Sequence, residues 1–195
     1  IKYMHNLDIA HRDLKCENVL ISKHLNLKIA DFGFSRYTVD DNNEDIYSKT
    51  FCGSAAYAPP EIIKGTPYLP TKADVWSMGI ILSVMLYGAM PFDDSNLARL
   101  RDSQMSRKMN LDPSVSAKLS DECKKVMYQC LTPSSDDRPS AENIYKMKWL
   151  EKRAMREMLS RNQQDASFSL LLLSFGYKYL ILYATDKICI IFFSF

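Results

Sequence analysis

A mainly α domain, a helical bundle that carries one short β-hairpin, is the fold class that this 195-residue sequence predicts. Three observations predict it. An apolar run over residues 75–87 has helix length and stops at Gly88 and Pro91. Three further segments, opening at Asp94-Ser95, Ser120-Asp121 and Ser140, repeat apolar residues at helical spacing behind residues that cap helices. Only residues 18–21 and 25–30 read as strands, the second by its alternation. With 47% hydrophobic and 25% charged residues the composition is globular, and the length suits one domain with a real core plus appendages.

In chain order, Tyr3, Met4, Leu7 and Ile9 stand at loosely helical spacing that ends in the turn chemistry of Asn6-Leu7-Asp8, as in the last turns of a helix. The sequence opens on Ile1 without a basic and apolar leader, so the expectation is a start cut from a longer chain and no secretory signal. Residues 11–18, His-Arg-Asp-Leu-Lys-Cys-Glu-Asn, put acids, cations and an amide into one polar run between apolar neighbours. The two strands, joined through Ser22-Lys23-His24, form a hairpin that returns Asp31 beside that run. From Phe34 to Thr50 the chain turns polar and loses any period, which predicts a mobile loop; its acidic run 40–45 lacks the glycine and terminal glutamate of a calcium loop.

A short helix over 61–64 is closed by Gly65, and Thr71-Lys72-Ala73-Asp74 is expected to cap the long apolar helix. That helix is apolar on nearly all sides, so it must be buried in protein, and it is too short to span a membrane. The segment from Ser120 ends before Pro133. The last amphipathic piece runs from Ser140 past Ile144, Met147, Trp149 and Leu150 into Glu151-Lys152-Arg153. Residues 151–167 are expected to be a charged helical extension or linker. Residues 168–195 are almost wholly apolar and aromatic, interrupted by Lys178 and Asp186-Lys187. Three readings of that tail stand: a non-native or mispredicted sequence, a docking segment, or a membrane anchor.

The net charge of +2 arises from nearly balanced acids and bases without a basic stripe, which argues against nucleic acid as a partner. Five cysteines, odd in number and without a C-x-x-C pair, argue against a disulfide framework and a zinc site and predict a reducing, cytoplasmic setting.

His11-Arg12-Asp13-Leu14-Lys15-Cys16-Glu17-Asn18, Asp31-Phe32-Gly33 and Pro60-Glu61, in this order, resemble the protein-kinase catalytic domain. The resemblance covers roughly residues 1–150 and implies the larger, C-terminal lobe, in which the hairpin carries the catalytic and metal-binding loops. The glycine-rich loop, strand lysine and helix glutamate of the N-terminal lobe have no counterpart here. The stretches 15–20, 50–61 and 74–79, with Met90-Pro91-Phe92-Asp93-Asp94, are similar to the calmodulin-dependent kinase group and within it most similar to the testis-specific serine kinases. Pro59 departs from the alanine or serine more usual in the family and removes a backbone N–H.

The resemblance implies Asp13 as catalytic base, Lys15 steadying Asp13 and the γ-phosphate of ATP, and Asn18 with Asp31 holding Mg²⁺ through oxygen ligands. It implies a serine or threonine acceptor, from Lys15 and from Ser54, whose hydroxyl would bond to the base and the lysine. Thr50 matches an activation-loop phosphosite received by Arg12 and Arg36 and made by an upstream activating kinase. Glu61 and Arg138 match a buried ion pair, and Asp74 matches the aspartate that holds the catalytic-loop backbone. Glu17 lies in the nucleotide and substrate region and would attract a basic substrate residue, whereas Val84 replaces a second acid found in some relatives. His11 is expected to support the backbone; His5 and His24 read as surface or core residues. Two functions follow as expectations: a serine/threonine kinase acting on protein hydroxyls, or an inactive truncated kinase serving as a scaffold.

Overall fold

The structure is a computed structural model; it describes residues 1–22 and 27–151, and beyond them the backbone of three strands. Helix α1 (Lys2–His5) ends at Asn6 and leads into strand β1 (Ile9–Ala10). The polar run follows and closes in a 3-10 turn, Cys16–Asn18. Strands β2 (Val19–Ile21) and β3 (Leu27–Ile29) then pair antiparallel, with Val19 opposite Ile29 and Ile21 opposite Leu27. The expected hairpin therefore forms; its connection over residues 23–26 lies outside the described residues.

The segment after it departs from the expected mobile loop. Strand β4 (Arg36–Tyr37) pairs antiparallel with β1, placing Ala10 opposite Arg36 and Ile9 opposite Tyr37. Asp40 Oδ1 accepts from the amides of Asn42 and Glu44, each at 2.9 Å, and folds the acidic run into a tight turn bridged from Val39 to Asp45. Ser48 and Tyr68 exchange two backbone hydrogen bonds of 2.9 Å. Pairings of one or two residues leave no period in the sequence, which is why the polarity pattern alone reads as an unpaired loop.

Helix α2 (Pro60–Ile63) is followed by the long helix α3 (Pro70–Tyr87), which ends on Gly88 at φ 70°. The long helix begins a turn earlier than residues 71–74 suggest, with Pro70 as its first residue, where a missing N–H costs nothing. Asp74 is thus inside the helix and free for another task. None of the residues 70–87 is exposed. Trp76, Ile80 and Tyr87 pack with Phe92, Leu100, Met127 and Leu131, while Val75 packs with Val126, Cys130, Ala141 and Ile144. Two clusters around one helix explain why its apolar residues form no stripe.

Helix α4 (Leu97–Met105) is capped by Asn96, which accepts from the Arg99 amide, slightly later than Asp94-Ser95. Helix α5 (Pro113–Ser116), capped by Asp112, is a single turn too short to announce itself by periodicity. Helix α6 (Asp121–Cys130) starts at its Ser120 cap as expected and crosses α3 where Gly79 has no side chain. A Cβ at Gly79 would lie 2.7 Å from Cys130 Cβ and 2.8 Å from Leu131 Cδ2. Helix α7 (Ala141–Tyr145) starts at its Ser140 cap but is interrupted at Lys146 and Met147 before helix resumes over 148–151, so the expected continuous helix is two pieces.

Residues 152–167, expected as a charged extension, lie outside the described residues. Farther on, β5 (Leu171–Leu172), β6 (Tyr179–Ala184) and β7 (Lys187–Phe192) form an antiparallel sheet in the order β5-β6-β7. Among the described residues no helix is long and apolar enough to cross a membrane. The fold is one of helices with small antiparallel sheets.

Candidate active site

A carboxylate on α3 organises the polar run. Asp74, 1% exposed, accepts from the Arg12 amide through Oδ1 and from the His11 amide through Oδ2, both at 2.8 Å, and meets His5 Nε2 at 3.0 Å. Arg12 sits at φ 70°, and its amide bond to Asp74 supports a conformation that costs a non-glycine residue about 1 to 3 kcal/mol. The helix thereby sets the path of the loop.

His11 is fully buried and ties the run to β3. The Asp13 amide donates to its Nδ1 at 3.3 Å, so Nε2 carries the proton and donates to Ala30 O at 3.0 Å. Phe32 lies edge-on to the imidazole at 5.0 Å. A second bond, Ala30 N to Asn18 O at 2.9 Å, continues the hairpin ladder and sets Asp31 next to the 3-10 turn.

Around Asp13 the side chains converge. Asp13 is 5% exposed; its Oδ2 accepts from Lys15 Nζ at 2.8 Å and Asn18 Nδ2 at 3.2 Å, and the Asp13 carbonyl takes a second bond from Asn18 Nδ2 at 2.8 Å. The Asp13 hydrogen bond holds the Lys15 ammonium above its ordinary pKa, with Glu17 and Asp31 adding in the same direction. Asn18 turns its amide nitrogen to Asp13, which directs its carbonyl oxygen away. Asp31, at φ 61°, is exposed, and its Oδ1 accepts from the Gly33 amide at 3.2 Å. A carboxylate and a carboxamide oxygen are the donor set a hard cation such as Mg²⁺ takes, so the residues fit one.

The segment after β4 closes the site from the other side. Gly53, at φ 83°, passes so near Asp13 that a Cβ there would lie 2.9 Å from Asp13 Oδ1 and 3.0 Å from Arg12 O. Only glycine satisfies both conditions. Ser54 follows it, but its hydroxyl makes no hydrogen bond with Asp13 or Lys15 among the described residues. Thr50 is exposed, and its carbonyl accepts from the Tyr68 hydroxyl at 3.1 Å. Arg12 Nη2 donates to Cys52 Sγ at 2.9 Å, while its Nε has no partner among the described residues; Arg36 Nε donates to Tyr37 O at 3.3 Å. The structure thus puts both arginines on the segments flanking β1 without bonding either to Thr50.

Glu61 and Arg138, the pair that the resemblance marks, meet in space. Arg138, 0% exposed, forms a two-pronged pair with Glu61 at 2.7 and 3.0 Å, donates to the carbonyls of Lys72, Thr132 and Pro133, and lies over the Trp76 ring at 5.0 Å. Lys72 Nζ returns a bond to Arg138 O. Glu17 is exposed at the rim of a groove lined also by Cys16, Tyr57, Val84 and Met90. Burial raises the Tyr57 phenol pKa, with its hydrogen bond to Cys16 adding to the rise.

Nothing in the sequence marks the contact of His5 with Asp74, whose spacing carries no signal, or those of Tyr68 and Lys72, whose polar atoms reach chain carbonyls that only folding brings near. Asp74 itself was legible through the family motif and not through its helix-cap chemistry.

The protein kinase domain family matches residues 1–150. The chain belongs to that family. It is 46% identical over 155 residues to testis-specific serine/threonine-protein kinase 1 of Mus musculus, covering 79% of this chain and 42% of that protein. It is 43% identical over 152 residues to testis-specific serine/threonine-protein kinase 2 of Mus musculus, covering 77% and 42%. To testis-specific serine/threonine-protein kinase 3 of Homo sapiens it is 42% identical over 151 residues, covering 77% and 54%. The chain spans about half the length of the curated relatives it matches.

Proposed function

We propose that residues 1–150 are the C-terminal lobe of a serine/threonine protein kinase that transfers the γ-phosphoryl group of ATP to protein serine or threonine hydroxyls. The observation that carries this reading is the asymmetry of Asp13. One carboxylate oxygen is held by Lys15 and Asn18, and the other has no hydrogen bond among the described residues and faces the Gly53 backbone. A buried carboxylate so fixed can orient a substrate hydroxyl and accept its proton. Lys15 then offers a cation beside the base, where charge develops on the migrating phosphoryl group.

Protein kinases in general use ATP and Mg²⁺. Asn18 and Asp31 would hold Mg²⁺ here, and the ion bound with ATP would neutralise triphosphate charge. His11, Asp74 and the β2–β3 ladder keep these residues in register. Thr50 is the site at which an upstream kinase would act, with Arg12 and Arg36 as the cations for the phosphate; Arg12 Nε, without a hydrogen-bond partner among the described residues, supports that role. Glu17 favours a basic residue in the protein substrate. Cys16, Cys52 and Cys130 are not in disulfides among the described residues, which supports a cytoplasmic setting.

The test is phosphate transfer from ATP to a serine peptide by the native protein that contains this chain. Asp13→Asn is expected to lower turnover by about 10² to 10⁴. Turnover equal to that of the unsubstituted protein would remove Asp13 as the base.

A further inference from the structure

The stretch that carries Thr50 has little of its own to hold it. Lys49, Thr50 and Phe51 are exposed in succession, and no backbone–backbone hydrogen bond reaches residues 49–53 among the described residues. With neither apolar burial nor a ladder, such a stretch belongs at the low end of local stability.

One side chain supplies the missing contacts. Tyr68 is 3% exposed, and it packs with Ala58, with Ile62 on α2 and with Ala73 on α3. Its backbone exchanges two hydrogen bonds of 2.9 Å with Ser48, and its hydroxyl donates to the Thr50 carbonyl at 3.1 Å. The same hydroxyl lies 3.9 Å from Cys52 Sγ, which accepts from Arg12 Nη2 at 2.9 Å. These contacts close a circuit. Through Asp74, α3 holds the His11 and Arg12 amides; Arg12 reaches Cys52; and Tyr68, just ahead of Pro70, returns the segment to α3. Thr50 is thereby anchored through its carbonyl and still exposed.

Taking Thr50 as the phosphosite proposed above, we propose that Tyr68 is a positioning residue that holds the Thr50 segment against Arg12 before any phosphate is added. The phenol does for the unmodified segment what a phosphate bonded to Arg12 and Arg36 does for the modified one. A phosphate at Thr50 draws the arginines to itself and makes the tyrosine contact redundant. Tyr68 therefore matters in the unphosphorylated protein and ceases to matter in the phosphorylated one.

Tyr68→Phe removes the hydroxyl and keeps the ring against Ala58, Ile62 and Ala73, so the fold survives the substitution. Nuclear magnetic resonance is applied to the whole chain and to this variant, each with and without phosphate at Thr50. Without phosphate, the backbone order parameters of residues 49–53 are expected to fall in the variant from about 0.85 to below about 0.6. The Ser48 and Tyr68 amides are expected to exchange about three- to ten-fold faster, the weight of one net hydrogen bond, with residues 70–87 unchanged as the folding control. With phosphate, the two chains are expected to match. Equal order parameters and exchange without phosphate would overturn the proposal. A difference that phosphate leaves in place would make Tyr68 a structural brace and overturn it as well. Turnover of the native protein that contains this chain is the second readout. Tyr68→Phe is expected to lower kcat by about three- to ten-fold only while Thr50 is unphosphorylated, with KM for ATP unchanged. A loss of the same size in both forms would count against the proposal. No phosphate transfer in any form would remove the kinase reading and leave the order parameters to decide the role of Tyr68.

Discussion

Gly53 shows how narrowly the chemistry constrains a single residue. Its backbone lies against both oxygens that matter locally, Asp13 Oδ1 and the Arg12 carbonyl, at a φ of 83°. Gly53→Ala is expected to displace Asp13 and lower phosphate transfer sharply while thermal stability falls by about 1 to 3 kcal/mol, the usual cost of a strained backbone. Unchanged transfer kinetics in this variant would contradict the close approach. Cys130 gives a prediction of another kind. Burial pushes its thiol up to about 12 from an ordinary 9.0. The folded state thus favours the protonated form, and the unfolded chain loses that proton first as pH rises. The contribution to stability is complete below pH 9.0 and is lost as pH climbs toward about 12. Urea unfolding midpoints across that range are expected to fall more steeply for the unsubstituted protein than for Cys130→Ala.

At the scale of elements, α3 is a hub whose first turns and middle do different work. Its first turns send Asp74 to the polar run and the Lys72 carbonyl to Arg138, while its middle is wrapped by apolar contacts from α4, α6 and α7. Arg138 links α2 to the end of the α6 connection through Glu61, Thr132 and Pro133. Its guanidinium is wholly buried, so removing the countercharge leaves a cation without compensation. Glu61→Gln is expected to destabilise by about 3 to 5 kcal/mol, measured by chemical denaturation. A change within a few tenths of a kcal/mol would mean that the surrounding carbonyls alone satisfy Arg138.

At the scale of the whole molecule, the site is assembled from segments far apart in the chain, and the proposed phosphosite at Thr50 is tested at this scale. The residue is exposed, on the segment that carries Gly53 to Asp13, and Cys52 nearby already engages Arg12. A phosphate there adds about −1.5 to −2 charge and can recruit Arg12 and Arg36 to order the segment. Thr50→Ala is expected to lower turnover of the native protein in a peptide assay and to abolish any gain from an activating kinase. Equal turnover of variant and unsubstituted protein would remove the regulatory role.

The sequence by itself, through its resemblance to the protein-kinase motifs, pointed to Asp13, Lys15, Asn18 and Asp31 as candidates, because their spacing is local and local patterns survive in one dimension. It determined the hairpin, the α6 and α7 caps and the burial of α3 for the same reason. Tertiary structure decided that the helix starts at Pro70, so that Asp74, which the family motif marks but helix-cap chemistry misplaces, meets two loop amides 62 and 63 residues away instead of capping. It also decided that Tyr37 and Arg36 pair with β1 and that His5 reaches Asp74. Each of those depends on partners distant in sequence, and no period or motif within a segment records a partner that only the folded chain supplies.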